Sequence, residues 1–263
     1  MQVKDKYKLA VIILSILFVA ESAALIVLSV RQKALTRKPK VSLPVKGRIA
    51  IVIDDWGYNL DNAAILDEIK YPFTASVLPR LDYSKVVSAQ LHKRGFQIIL
   101  HLPMEPHEKI QLEKDTINAS MGEQEIINII GRDLANINYA VGVSNHMGSK
   151  ATEDSRTMSI VLNELKKRNL FFLDSFVSPK TVCSDMAARL QVRFIKRDIF
   201  LDNKESPEYI KTQIYKLKKK AAMYGYAVGI GHDKKATLEA LRDTMPELDK
   251  EGYKFVFVSE LVK

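Results

Sequence analysis

Asp54 and Asp55 stand side by side at the end of the apolar run "RIAIVID". His101 closes a later run, "FQIILHL", and His146 follows "YAVGVSN". Further along, Asp174, Asp202 and His232 end "LFFLD", "RDIFLD" and "YAVGIGH", and Ser259 ends "KFVFVS". Three of the five histidines therefore sit at the C-terminal ends of strand candidates. One carboxylate and two neutral imidazoles can hold Zn²⁺ or a similar divalent ion and leave positions open for water. Water bound there has its pKa lowered to near 7 and can attack a carbonyl, with a second carboxylate as base and a further histidine as acid. Taken singly, the aspartates could equally cap a helix and the histidines satisfy buried backbone groups. Taken together they read as a site. His92 lies in the polar stretch "LHKRG" and reads as solvated; His107 follows Pro106 in a loop and is the weaker candidate.

These residues need a scaffold that brings strand ends to one face. From Arg48 onward, eight short β-type runs alternate with seven stretches of helical spacing, the first of which is "NLDNAAILDEIK". Such spacing demands parallel strands with right-handed crossovers. No Gly-rich turn follows the first strand, and the polar residues collect at strand C-termini. Both features favour an α/β fold of the (β/α) barrel kind over an open doubly wound sheet. Asp233 is expected to cap the helix after His232. Cys183, the only cysteine, cannot form an internal disulfide and reads as a small buried thiol in a helix.

Ahead of the barrel, a flank over 1–8 precedes "LAVIILSILFVAESAALIVLSV", twenty-two residues from Leu9 to Val30 with Glu21 as the only charge. At 1.5 Å per residue this run spans a bilayer core of about 30 Å. It exceeds the roughly 7–15 apolar residues of a cleaved signal, so an uncleaved transmembrane anchor over 9–30 is expected, with a cleaved signal as the alternative. A basic, Pro-containing linker follows over 31–47, and one domain fills 48–263. The formal charge of +9 is concentrated at the start. Residues 1–45 hold eight basic and two acidic side chains, leaving 32 against 29 in the remainder. A nucleic-acid-binding face is not indicated.

The motifs "IAIVIDDWGYN", "GFQIILHLPMEP", "GVSNHMGS", "FFLDS", "RDIFLDN" and "GIGHDKKATLEAL" resemble the divergent polysaccharide deacetylases, relatives of the NodB-type carbohydrate esterases. The resemblance covers about residues 48–263. It implies a distorted (β/α) barrel of seven or eight strands and a metal-dependent site, zinc being the expected ion, that removes acetyl groups from N-acetylated sugars. Carried over, Asp54 is the catalytic base and Asp55 a metal ligand. His101 matches the first histidine of the family's third-strand pair, whereas Glu105 stands at the second position. His146 in "SNHMGS" is then the replacement imidazole, and Glu105 an outer or alternative ligand. His232 in "GIGHD" matches the late Leu-x-His motif, with Ile230 for leucine, and would protonate the leaving amine. Asp202 is placed to support His232. No Arg-x-Pro motif is found to orient the base; "DSFVSPK" offers Asp174 and Lys180 instead. Trp56, directly after the acid pair, is a candidate sugar-stacking residue, with packing beneath the first loop as the alternative.

The anchor and the resemblance together imply a single-pass protein of the bacterial inner membrane with its catalytic domain in the periplasm. Its partners would be a glycan substrate and, through the helix, the membrane. Because the second histidine and the arginine depart from the pattern, a catalytically weak envelope protein that binds a glycan or a partner stands as the alternative. A metal-dependent phosphoesterase or amidase would share the same ligand types.

Overall fold

The computed structural model describes residues 3–36 and 44–263, which form two units. Met1 and Gln2 of the expected flank, and 37–43 of the expected linker, lie outside the described residues. The first unit is helix α1 (Val3–Thr36). Its stretch Ala10–Ser29 is long and apolar enough to cross a membrane, which makes it a candidate span or signal sequence. Apolar side chains such as Leu14, Phe18 and Leu25 are exposed, as in a helix that is hydrophobic all round. Ser15, Ser22 and Ser29 donate back to the carbonyls of Val11, Phe18 and Ile26, each at 2.8 Å, so no hydroxyl on this stretch needs water. The helix runs through Thr36, beyond the expected end of the span at Val30.

The second unit is built on parallel strands β1 (Gly47–Trp56), β2 (Thr74–Val77), β3 (Gln97–Met104), β4 (Ala140–Met147), β5 (Phe171–Asp174), β6 (Phe194–Lys196), β7 (Ile199–Phe200), β8 (Tyr226–His232) and β9 (Tyr253–Val256). Their order is β6-β5-β4-β3-β2-β1-β8-β7, with β9 against β1. Helices α2 (Ser84–Lys93), α3 (Glu123–Asn136), α4 (Ser155–Lys167), α5 (Cys183–Leu190), α6 (Pro207–Tyr224) and α7 (Lys235–Lys250) connect them. Their ends follow local chemistry. Asp154 caps α4 by accepting from Thr157 N at 2.7 Å. Ser206 and Pro207 open α6, which Gly225 ends at φ 81°.

Strand parity divides the core in two. In β1, Ile49, Ile51 and Ile53 join the large cluster against the helices. Ala50 and Val52 instead join Ile99, Leu173, Val228 and Ile230 in a second cluster on the inner face of the curled sheet. Val258 and Leu261 complete that inner cluster from the C-terminal segment. Following the same parity upward, Asp54, His101, His146 and His232 are the next inward positions beyond the apolar layer.

Three expectations are corrected here. "NLDNAAILDEIK" is not an α-helix; it forms a loop with one short 3₁₀ turn, Ile65–Asp67. Asn59 turns its side chain onto Asp61 N at 3.0 Å, an Asx turn that competes with helix initiation. "VRFIKRDIFLD" is not one strand. Arg197 N donates to Asp174 O of β5, and Asp198 N donates to Val228 O of β8, so the chain changes partners within two residues and closes the curled sheet. The last strand, β9, pairs only with Gly47–Ala50, the lower half of β1. Ser259 consequently lies against Gln97 at the start of β3 (2.6 Å), at the opposite end from the other strand-end residues.

Candidate metal centre

Adjacent residues of a regular strand point to opposite faces, so two neighbouring aspartates cannot both reach one cavity from an undistorted β1. The strand solves this with a bulge. The β1–β2 register slips between Ile53 and Trp56, and Asp55 takes φ 66°, a left-handed conformation that aspartate tolerates better than most residues. Both carboxylates then face His101. Its Nε2 lies 3.3 Å from Asp55 Oδ1 and 3.6 Å from Asp54 Oδ2. The same distortion corrects the reading of Trp56. Parity is reset past Asp55, and the indole turns into the helix-side core at 1% exposure, where it cannot stack on a sugar.

Asp55, His101 and His146 each offer a ligand atom within 4.8 Å of the others. His146 Nδ1 is 3.1 Å from Asp55 Oδ1, yet this buried oxygen has no aligned hydrogen-bond donor. Donors around a tetrahedral zinc ion at about 2.0–2.2 Å stand about 3.3–3.6 Å apart, and the same donors without an ion can stand slightly closer. The two nitrogens therefore approach Asp55 Oδ1 as fellow ligands would, and one oxygen with two imidazoles suits zinc. On the far side of the His101 ring, Nδ1 meets Ser144 Oγ at 2.8 Å, and Ser144 meets Ser76 at 2.6 Å. Such outer contacts fix a ligating ring's tautomer and orientation.

Burial opposes ionisation of Asp55, but the ring nitrogens and charge of His101 and His146 outweigh it and hold the carboxyl well below its ordinary range. Asp54 behaves oppositely. Burial dominates and raises its pKa, partly countered by His101, with the like charge of Asp55 adding to the rise. Asp54 Oδ1 has no partner. His232 pairs across the β1–β8 ladder with Asp54. Burial disfavours its charge, yet the hydrogen bond and charge of Asp202, followed by Asp55 and Asp54, raise its pKa. Asp202 accepts from His232 N (2.8 Å) and Thr237 Oγ1 (2.6 Å) and meets His232 Nδ1 at 2.9 Å, which turns Nε2 toward Asp55 Oδ2 at 3.9 Å.

Asp202 can come this close to the backbone because residue 231 is glycine. A Cβ there would lie 2.8 Å from Thr237 Cγ2 and 3.5 Å from Asp202 Oδ2. Gly231→Ala is expected to destabilise the protein by about 1–3 kcal/mol through this overpacking. Urea unfolding of the variant beside wild type checks the figure, and an unchanged midpoint would refute the close-approach argument.

Several other expected site residues serve the loops. Glu105 is not a ligand: its oxygens accept from Lys150 Nζ (2.7 Å) and Ala119 N (3.0 Å), which pin the segment after β3. Asp174 has the parity of Phe172, facing the helices, and accepts from Phe176 N (2.8 Å) and Thr181 Oγ1 (2.9 Å). Asp233 does not cap α7, whose N-cap is Lys234; it accepts from Asn62 (2.8 Å), and burial pushes its carboxyl up to about 6. His107 is exposed and pairs with Glu153 at 3.1 Å, and His92 stacks on Tyr139.

The structure also adds residues that spacing did not reveal. Glu113, from the long β3–α3 loop, places Oε2 3.2 Å from His146 Nε2, and Tyr58 OH donates to its Oε1 at 2.6 Å. Arg197 donates to the carbonyls of Ser175 and Phe176 and lies over the Phe200 ring. Burial lowers its pKa against the charges of Asp174 and Asp54. Arginine at the partner switch thus supplies a positive charge near Asp54, in a part of the chain that reads as plain strand. Lys180, the sequence candidate for that role, is exposed.

The model of the divergent polysaccharide deacetylase family matches residues 51–262. This chain belongs to that family. The Escherichia coli K12 protein YibQ is 35% identical over 209 residues, an alignment covering 79% of this chain and 66% of YibQ. The chain thus spans just under two thirds of that relative's length. Among solved structures, protein ATU2773 from Agrobacterium tumefaciens C58 superposes with a TM-score of 0.78 at 23% identity, covering 85% of this chain and 92% of that one. The Bc1960 peptidoglycan N-acetylglucosamine deacetylase gives a TM-score of 0.52 at 16% identity, covering 81% and 86%. At these identities the structural likeness is one of fold: the curled, NodB-like parallel barrel.

Proposed function

We propose that the protein is a divalent-metal-dependent hydrolase of the cell envelope that removes N-acetyl groups from a polysaccharide or glycan. One observation carries the reading. The buried Asp55 oxygen has no hydrogen-bond donor but stands 3.1 and 3.3 Å from two imidazole nitrogens, with the unpartnered Asp54 oxygen beside it. Family membership favours an acetylated sugar as substrate. With α1 as an uncleaved anchor, the domain would face the periplasm from the inner membrane.

Asp55, His101 and His146 would hold the ion, zinc by donor type, which would polarise the acetamide carbonyl and acidify water. Asp54 Oδ1 is free to take the proton of the attacking water, and its raised pKa makes it a better base than an exposed aspartate. His232, oriented by Asp202, presents Nε2 on the same side as Asp55 and donates a proton to the departing nitrogen. The C–N bond breaks, acetic acid leaves and gives up its remaining proton to solvent as acetate, and the sugar amine keeps the proton from His232. Asp54 and His232 thus end with protonation states exchanged, and a proton transfer through solvent resets them.

The raised pKa favours the protonated form of His232, and turnover is lost as pH rises through it. Asp202→Asn removes the charge that raises it. Its alkaline limb in a kcat–pH profile is expected at lower pH than in wild type, and an unmoved limb counts against His232 as the acid. The central test is acetate release from N-acetylchitooligosaccharides and peptidoglycan fragments by the full chain in detergent, with and without a chelator. Turnover that survives chelation would overturn the reading. Metal and glycan binding without turnover would mark a binding protein on the same fold.

A further inference from the structure

His146 stands apart from His101 in what lies behind its ring. Nδ1 faces Asp55 Oδ1 at 3.1 Å, while Nε2 faces Glu113 Oε2 at 3.2 Å. Both Nε2 and this Glu113 oxygen are buried and have no other polar partner. A neutral imidazole carries one proton. Placed on Nδ1, it would leave the Nε2 lone pair against a carboxylate oxygen, a repulsive arrangement. Placed on Nε2, it satisfies Glu113 and leaves the Nδ1 lone pair aimed at the cluster, beside Asp55 Oδ1, where a bound cation, or a second proton when no cation is bound, reconciles the two.

Glu113 is itself held. Tyr58 OH donates to its other oxygen at 2.6 Å, and Tyr58 lies only three residues after Asp55. The loop carrying Glu113 is pinned to β3 where Ile117 N donates to Pro103 O and Glu105 N donates to Ile117 O. Arg80 and Arg132 both pair with Asp115 two residues on. A closed circuit results: Asp55, His146, Glu113 and Tyr58, returning to the strand end that supplies Asp55.

We propose that Glu113, steadied by Tyr58, is the positioning residue for His146, fixing the proton on Nε2 so that Nδ1 is the ligating atom. The proposal rests on the metal-site reading above and assigns Glu113 no contact with the ion. A carboxylate behind a ligating imidazole typically contributes 10- to 100-fold to metal affinity.

The test compares wild type, Glu113→Ala, Glu113→Gln and Tyr58→Phe in the full chain. Zinc affinity is read by competition with a chromophoric chelator, and the His146 tautomer from ¹⁵N imidazole correlations of the zinc-loaded protein. Glu113→Ala is expected to weaken zinc binding 10- to 100-fold. Glu113→Gln, which preserves the side-chain length and can still accept from Nε2–H, should lose less, and Tyr58→Phe less again. Wild type should show a protonated Nε2. Glu113→Ala binding zinc within twofold of wild type, or a wild-type His146 protonated on Nδ1, overturns the proposal and leaves the metal site standing. Wild type that binds no zinc overturns both. If Glu113→Ala does not fold, Glu113→Ser takes its place: zinc binding within twofold of wild type overturns the positioning role.

Discussion

Asp55→Asn is expected to lower bound metal from about one ion per chain to a trace, and to cut any acetate-releasing turnover by roughly 10³-fold or more. Asparagine is chosen because it tolerates the left-handed backbone at φ 66° as aspartate does, whereas alanine there would add backbone strain to the loss of the ligand. The substitution therefore removes charge with little change of shape. It leaves His101 and His146 facing a neutral amide, so the negative charge that draws a cation between them is gone. Elemental analysis of protein purified without chelators reads the first effect, and acetate release reads the second. A variant that keeps its metal would refute Asp55 as a ligand and, with it, the bulge as the device that builds the site.

The second large effect concerns stability. Asp133 on α3 is 1% exposed, and neither carboxylate oxygen has a hydrogen-bond partner. Arg80 Nη1 stands 4.0 Å away but is paired with Asp115. Burial pushes the Asp133 carboxyl up to about 7, against a partial counter-pull from Arg80. In the unfolded chain the same group titrates near 4. Between these values the native state holds a proton that the unfolded state has released, so stability falls as pH rises from about 4 to about 7 and then levels off. Asp133→Asn is uncharged throughout. It is expected to match wild type near pH 4 and to exceed it at pH 8 by about 4 kcal/mol, at 1.36 kcal/mol per pKa unit. Chemical denaturation at the two pH values measures this, and equal midpoints at pH 8 would show that Asp133 is solvated or paired in solution.

Much of this molecule is legible in order along the chain. Seven of the eight β-type runs each form one strand where they are read, the sixth splitting into β6 and β7, and Asp54, Asp55, His101, His146 and His232 assemble at one end of the curled sheet. They are legible because side-chain parity along a strand is a local property. Once Ala50 and Val52 face inward, Asp54 must follow them. The misreadings share a different cause. Trp56 is displaced by a left-handed residue that no periodicity announces, and the split of β6 from β7 depends on which carbonyls are free on β5 and β8.

Glu105 and Glu113 show the division most clearly. Glu105 stands four residues after His101, at the spacing of the family's second histidine, yet its carboxylate is taken by Lys150 and Ala119. Glu113 lies in a loop with no pattern of its own, and reaches His146 because that loop is tied back onto β3. Residue types and strand periodicity were enough to name a candidate ligand set and the end of the barrel that carries it. Which carboxylate backs which imidazole is set by long-range closure: loop positions are fixed by contacts far away in the chain, and linear spacing holds no record of them.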